Sequence, residues 1–286
     1  DFEYDFSGST FFYPIDLTNS YYAKPINFSG STYQGGANFS DSTYRDEAYF
    51  GGSTYQGGAN FSDSTYKDVA DFGGSTYQGR ADFSRSTYQW ASFIGSTYQG
   101  WAYFSDSTYK SWAYFTDSTY QWASFNDSTY KSWAYFSDST YENETNFSGS
   151  IFYQETYFGE DGYSNSSSCF TNRAPQFYDK KKRKNTLFGS PNNDFAVDID
   201  KGYPIDLDSK GIPLNCKFLT SEQKEYLEGK LQEIDETNNK LLEAKDDEEK
   251  ARLSDMLRPL YKELRKWREE ATTVKVEGTA LGEEDN

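Results

Sequence analysis

Histidine is absent from this 286-residue chain, and cysteine, methionine and proline are scarce, at 2, 1 and 7. Losing histidine removes the commonest general base and metal ligand, and two cysteines fit no four-ligand metal site. Cys169 and Cys216 permit either one disulfide or two buried thiols. No stretch approaches the roughly 20 consecutive apolar residues of a membrane-crossing helix, so the chain is read as soluble or peripheral, with no transmembrane span of its own. Basic side chains are outnumbered 28 to 45, for a net charge of −17. The chain opens on Asp1 and its single methionine is Met256, which leads us to expect a processed, exported or organellar protein. Hydrophobic residues reach only 35%, yet aromatics reach 19%, as 26 Tyr, 23 Phe and 6 Trp. A core in this chain has to be built largely from rings.

What the chain does contain is a repeat. Ser-Thr-Tyr recurs with its ring at Tyr33, Tyr44, Tyr55, Tyr66, Tyr77, Tyr88, Tyr98, Tyr109, Tyr120, Tyr130 and Tyr141. A second ladder, usually with Ala two places ahead, runs Phe39, Phe50, Phe61, Phe72, Phe83, Phe93, Phe104, Phe115, Phe125, Phe136, Phe147 and Phe158. Each Phe precedes the next Tyr by 5; each Tyr precedes the next Phe by 6, except that Tyr88 to Phe93 and Tyr120 to Phe125 are 5. The unit is therefore a pentapeptide with an optional corner insertion. The grid extends back through Phe28, Tyr22, Leu17, Phe11 and Phe6, and forward through Phe152 to about Tyr163.

A small residue, a polar one and a large apolar one every five residues, as in Ala37-Asn38-Phe39 and Ser31-Thr32-Tyr33, resembles the pentapeptide-repeat family. The departures are Tyr alternating with Phe at the central position and unusually regular six-residue units. The resemblance covers roughly the first 160 residues and implies a right-handed, four-sided β-solenoid, one unit per face. The residues after the tyrosines support four faces independently, because they sort into two columns. One is Gln34, Gln56, Gln78, Gln99, Gln121, Glu142; the other is Arg45, Lys67, Gln89, Lys110, Lys131. A three-unit coil would scramble them. We therefore expect a mainly β protein with about seven coils of 22 residues, stacked at roughly 4.8 Å per coil. Thr should face outward, with the small residue and the ring inward.

The expected organisation is a solenoid over 1–163, an irregular arm over 164–218, a helical hairpin over 219–272 and a mobile acidic tail over 273–286. One echo interrupts the arm: Tyr203-Pro204-Ile205-Asp206-Leu207 copies Tyr13-Pro14-Ile15-Asp16-Leu17, so the arm is expected to return as a partial coil. Thr220-Ser221-Glu222-Gln223 reads as a capping box. Tyr226, Leu227, Leu231, Ile234, Leu241 and Leu242 follow at helical spacing, to an end near Lys245. Leu253, Met256, Leu257, Leu260, Tyr261, Leu264 and Trp267 form a second stripe, with a kink expected at Pro259.

No nucleophile–base pair, phosphate loop or metal cluster is recognisable, so no enzyme and no cofactor are expected. Asp41, Asp63, Asp106, Asp117, Asp127 and Asp138 follow the spacing of the corners, where Asp suits a turn. Asn27, Asn38, Asn60, Asn126, Asn143, Asn146 and Asn165 sit in Asn-x-Ser/Thr triplets, which chance explains in so polar a chain. The sharpest local feature is Trp90, Trp101, Trp112, Trp122 and Trp133, at the corner that earlier coils fill with Gly36, Glu47, Gly58, Val69 and Arg80. They are expected to form exposed stripes, joined by outward Tyr103, Tyr114 and Tyr135, and to serve as a partner surface, as seals over the corners, or as a platform for sugar or pigment stacking. The run Lys180, Lys181, Lys182, Arg183 and Lys184 is read as a solvated loop, a contact for an acidic protein or lipid surface, or a nuclear-targeting signal. Nucleic-acid binding is disfavoured, since 20 acids face 7 bases through Asp161.

The function expected is that of a non-catalytic scaffold whose Trp-bearing half and hairpin each dock on a subunit of a larger assembly. Members of the resembled family are common in cyanobacteria and thylakoid lumens, which implies photosystem or antenna partners there. A secreted location is the alternative. Two other readings stay open: ice binding on the outward file Thr32, Thr54, Thr76, Thr97, Thr119 and Thr140, and DNA mimicry directed at a topoisomerase.

Overall fold

The computed structural model describes residues 4–160, 166–244 and 246–274; the acidic tail beyond 274, Asn165 and Lys245 lie outside the described residues. The repeat folds as a parallel β-solenoid of about 7 coils with ~22 residues per turn. Its strands are mostly two residues long and stack in register, Thr32 on Thr54 on Thr76 and Ala37 on Ala59 on Ala81. They collect into a 15-stranded and a 13-stranded sheet, each covering two adjacent faces. So short a strand suffices because each coil donates backbone N–H groups to both neighbours, back as Gln56 does to Tyr33 (2.9 Å) and forward as Phe61 does to Asp82 (2.7 Å).

Inside, the rings form four continuous columns. Tyr33, Tyr55 and Tyr77 lie parallel at 4.6 and 4.8 Å, and Phe39 lies on Phe61 at 5.1 Å. Neighbouring columns meet edge to face, as Tyr33 meets Phe39 at 87°. Both geometries are favoured by the ring quadrupole. The serine before each Thr-Tyr is buried and acts as more than a small spacer. Ser53 N–H donates to Ser75 Oγ (3.2 Å), and the Ser53 hydroxyl donates to the Phe28 carbonyl (3.2 Å). Repeated along the rod, this gives two internal hydroxyl ladders that satisfy corner backbone groups.

The corners confirm the turn reading of the aspartates. Asp41, Asp63, Asp106, Asp117, Asp127 and Asp138 all take φ of 54–58°, a left-handed conformation that Asp tolerates. The six-residue units place their extra residue at a corner, where pairing shifts register between Tyr66 and Val69 and between Tyr98 and Trp101. In the two five-residue units the strand runs unbroken around the corner, over Thr87–Ser92 and Thr119–Ser124.

Residues 166–218, the described part of the segment expected as an irregular arm over 164–218, depart from that expectation. Cys169–Phe170 pairs with Thr140–Tyr141, and Leu187–Phe188 pairs with Ile151–Phe152. Phe170 stacks on Tyr141 (4.7 Å), Phe177 on Phe147 (5.0 Å), Phe188 on Phe152 (5.5 Å) and Phe195 on Phe158 (6.1 Å). The segment is a degenerate further coil, one ring on each column. Tyr203 N–H donates to the Phe170 carbonyl, and Ile205, Ile212 and Cys216 are buried in the same core, so the Tyr-Pro-Ile-Asp-Leu echo does return to the rod. Cys169 and Cys216 are free, buried thiols, which closes the disulfide option; burial pushes the Cys216 thiol up to about 12.

The hairpin consists of helix α1 (Ser221–Glu243) and helix α2 (Asp247–Thr272). The capping box is present, Gln223 N–H on Thr220 Oγ1 at 3.2 Å and Thr220 N–H on Gln223 Oε1 at 3.0 Å. Helix α2 is a single helix through Pro259, and Met256 points outward, 46% exposed, rather than joining the stripe. At ~1.5 Å per residue α1 is about 35 Å long, the length of seven coils at ~4.8 Å. The hairpin uses that match and lies back along the rod instead of standing apart. Leu227, Leu231, Ile234, Leu257, Leu260 and Leu264 pack on Ile151, Leu187 and Leu219. Two charge stripes fix it sideways. Asp235 of α1 meets the basic column at Lys110 (2.6 Å) and Lys131 (3.6 Å). Arg268 of α2, 3% exposed, meets the corner carboxylate of Asp106 (2.8 Å).

Candidate functional site

With one Thr-bearing face under the hairpin, two of the rod's corners carry the tryptophan rings, apart from the exposed Phe12, Tyr13 and Tyr21 near its N-terminal end. Register places Val69 on Trp90 in one sheet and Trp101 on Trp122 in the other, so the five tryptophans divide into two ladders on diagonally opposite corners. Trp112 and Trp133 stack at 5.7 Å and 15°, and Trp101 and Trp122 at 5.8 Å and 20°. Stacking covers one side of each ring, leaving Trp101, Trp112 and Trp133 at 37–38% exposure, with Trp90 and Trp122 half-buried.

The two ladders are finished differently. Trp133 Nε1 donates to Glu155 Oε2 (2.6 Å), and Trp90 leans on Tyr114 at 5.7 Å. Tyr114, Tyr135 and Tyr157 stack beside them at 4.9 and 5.2 Å. Tyr135, expected outward and open, is only 4% exposed, because Tyr114 and Tyr157 sandwich it. On the opposite corner Trp101 lies nearly parallel to Tyr103 (5.8 Å, 17°) as well as to Trp122. The Arg80 guanidinium sits 4.5 Å over the Tyr103 ring and is held by Asp82 at 2.6 Å. Arg80, Tyr103, Trp101 and Trp122 thus form one cation-edged aromatic patch on the side away from the hairpin.

The basic run does not stay together. Lys180, Lys181, Lys182 and Arg183 are exposed at the turn of a two-stranded hairpin, Tyr178–Asp179 with Lys184–Asn185. Lys184 is taken out of the run by Asp127 (2.7 Å) and Glu269 (3.5 Å). The Asn-x-Ser/Thr triplets at Asn27, Asn60 and Asn146 use the Asn carbonyl to accept the N–H two residues on (2.9–3.1 Å), which is turn chemistry. Among the described residues no group of three or more His, Cys, Asp or Glu side chains is placed to hold a metal ion, and no helix is long and apolar enough to cross a membrane.

A rod of stacked parallel coils with outward polar files belongs to the class of β-solenoid repeat proteins, whose fold is consistent with a structural or interaction role. Residues 24–65, within the solenoid, match the family model described as pentapeptide repeats (9 copies). No curated protein and no solved structure matches the chain.

Proposed function

We propose that this protein is a non-catalytic scaffold that holds partner proteins against the tryptophan corners of its rod. The observation that carries the reading is the Trp101–Trp122–Tyr103 patch, a contiguous, partly exposed aromatic surface at a corner that earlier coils fill with Gly36, Gly58 and Arg80. Water-exposed aromatic patches bordered by an arginine are the composition of interface anchors. The hairpin, whose apolar stripe is spent on its own rod, is no longer part of the docking surface. In its concrete form the partners are photosystem or antenna subunits on the lumenal side of thylakoids, a setting supported by the family resemblance.

The test is the pair Trp101→Arg and Trp122→Gly, residues drawn from the same corner. Far-UV circular dichroism is expected to stay the same, while co-migration with the native complex falls; a hot-spot ring commonly carries about 2 kcal/mol or more, roughly thirtyfold in affinity. An early melt with undiminished co-migration would mean that the rings seal the coil and dock nothing. Ice binding is favoured by one observation: the Thr32, Thr54, Thr76, Thr97, Thr119 and Thr140 file stands in register on a face the hairpin leaves open. A thermal hysteresis assay separates it from the scaffold. Mimicry of DNA is weakened because Asp63, Asp106 and Asp127 are already paired with Arg85, Arg268 and Lys184.

A further inference from the structure

Toward the N-terminal end of the rod the hairpin and the solenoid wall enclose a cavity of about 750 Å³, within the range of small-molecule sites. Its wall carries four cations: Arg45 and Lys67 from the basic column, Lys250 and Arg258 from α2. Among the described residues no Asp or Glu side chain lines it. Farther along the same column Lys110 and Lys131 have Asp235, but Arg45 and Lys67 have no carboxylate within ion-pair distance among the described residues, and Asp235, which borders Lys67 on its other side, is engaged by those two lysines. The pair at Arg258 is a long, exposed one, to Asp255 at 3.7 Å. Between the charges, Leu241, Leu257 and the Tyr21 and Tyr261 rings give the wall apolar surface among the polar Thr43, Thr65, Asn238 and Ser254.

Like charges gathered in a half-enclosed, partly desolvated space are costly unless an anion joins them. We propose that this cavity binds a small organic anion, a phosphate, sulfonate or carboxylate group attached to an apolar or aromatic body, with Arg45 and Lys67 on the charged group and the leucines and tyrosines on the body. Burial first, then Lys110 and Arg45, push the Lys67 ammonium down to about 8, a cost that an anion beside it would offset.

The probe is 8-anilinonaphthalene-1-sulfonate, a sulfonate on an aromatic body whose fluorescence rises out of water. Titrated into the full chain, it is expected to bind one per chain. The affinity should drop at least about tenfold, the worth of one charge-assisted contact, in Lys67→Met, which keeps the aliphatic stem. It should drop similarly in Ser254→Trp, which fills the cavity from α2 without changing charge. Pyrophosphate at equal concentration should displace the probe poorly. Absence of binding overturns the proposal. So does affinity unchanged in both variants, since the probe would then sit on exposed rings such as Phe6 and Tyr13 at the open end of the rod. Equal displacement by pyrophosphate overturns it too, because a bare anion site needs no body.

Discussion

Raising the pH past 10 is expected to unfold the protein in one cooperative step that is complete by about pH 11. Burial holds eleven phenols, from Tyr33 to Tyr141, far above their ordinary value of 10. Below pH 10 both folded and unfolded chains carry neutral phenols, and stability does not depend on them. Above it the unfolded chain releases these protons and the folded chain cannot, so stability falls as pH rises. Each ring contributes about 1.4 kcal/mol per pH unit, and eleven together about 15 kcal/mol by pH 11. That equals or exceeds the whole net stability of a typical domain, about 5–15 kcal/mol. Phenolate absorbance and far-UV circular dichroism should therefore change together. Gradual ionisation through pH 10 with the β signal intact would mean that the rings reach water.

The second large effect is expected at Tyr77, and its sign should depend on which part of the side chain is removed. The ring is 1% exposed, stacked at 4.8 Å on both Tyr55 and Tyr98 and edge-on to Phe83 at 5.6 Å. Tyr77→Ala should cost roughly 3–5 kcal/mol, as deletion of a buried aromatic does. The phenol oxygen, however, is buried without a hydrogen-bond partner, as are those of Tyr33, Tyr44, Tyr55, Tyr66, Tyr98, Tyr109, Tyr130 and Tyr141. Tyr88 and Tyr120 differ, donating to Phe83 and Phe115 carbonyls at 3.2 and 3.4 Å, and they are the two rings that head five-residue units. Removing an unsatisfied polar atom without changing shape is neutral or favourable, so Tyr77→Phe should be neutral or gain about 1 kcal/mol. Gln78→Ala, on an exposed outward residue, should stay within about 0.5 kcal/mol. A denaturant series reads all three. Equal losses for Tyr77→Ala and Gln78→Ala would overturn the register; a clear loss for Tyr77→Phe would reveal a partner for the hydroxyl.

The repeat made the solenoid legible because every coil repeats one solution to one packing problem. The columns Gln34 to Glu142 and Arg45 to Lys131 reported the four faces before any coordinate did. Where insertion breaks the period, that reasoning stops. Phe170, Phe177, Phe188 and Phe195 are spaced by 7, 11 and 7, the longest gap holding the Tyr178–Asn185 hairpin, so a further coil looked like a loop. The seat of the helices left a trace that was passed over. Thr43, Thr65, Thr87, Thr108 and Thr129 share one outward file, and Ile151 and Leu187 continue it. An outward Ile in a file of threonines marks a covered face. The basic column marks the same face, where Lys110 and Lys131 meet Asp235. The tryptophan corners were found from position alone, but their splitting into two ladders and the burial of Tyr135 depend on which coil lies above which.

With the hairpin lying along the rod, its apolar stripe is spent there, and docking falls to the tryptophan corners. Short amine-to-amine cross-linking of the intact chain, read by mass spectrometry at pH 8, tests that placement most directly. Lys67 on the solenoid and Lys250 on α2 line one cavity, and with its ammonium lowered to about 8 the Lys67 amine is about half neutral and reactive under these conditions. The expected result is a Lys67–Lys250 link within one chain, at unchanged yield on dilution. Links confined to pairs within the hairpin, with Lys67 and Lys250 modified but never joined, would place the helices away from the rod and return them to the list of docking elements.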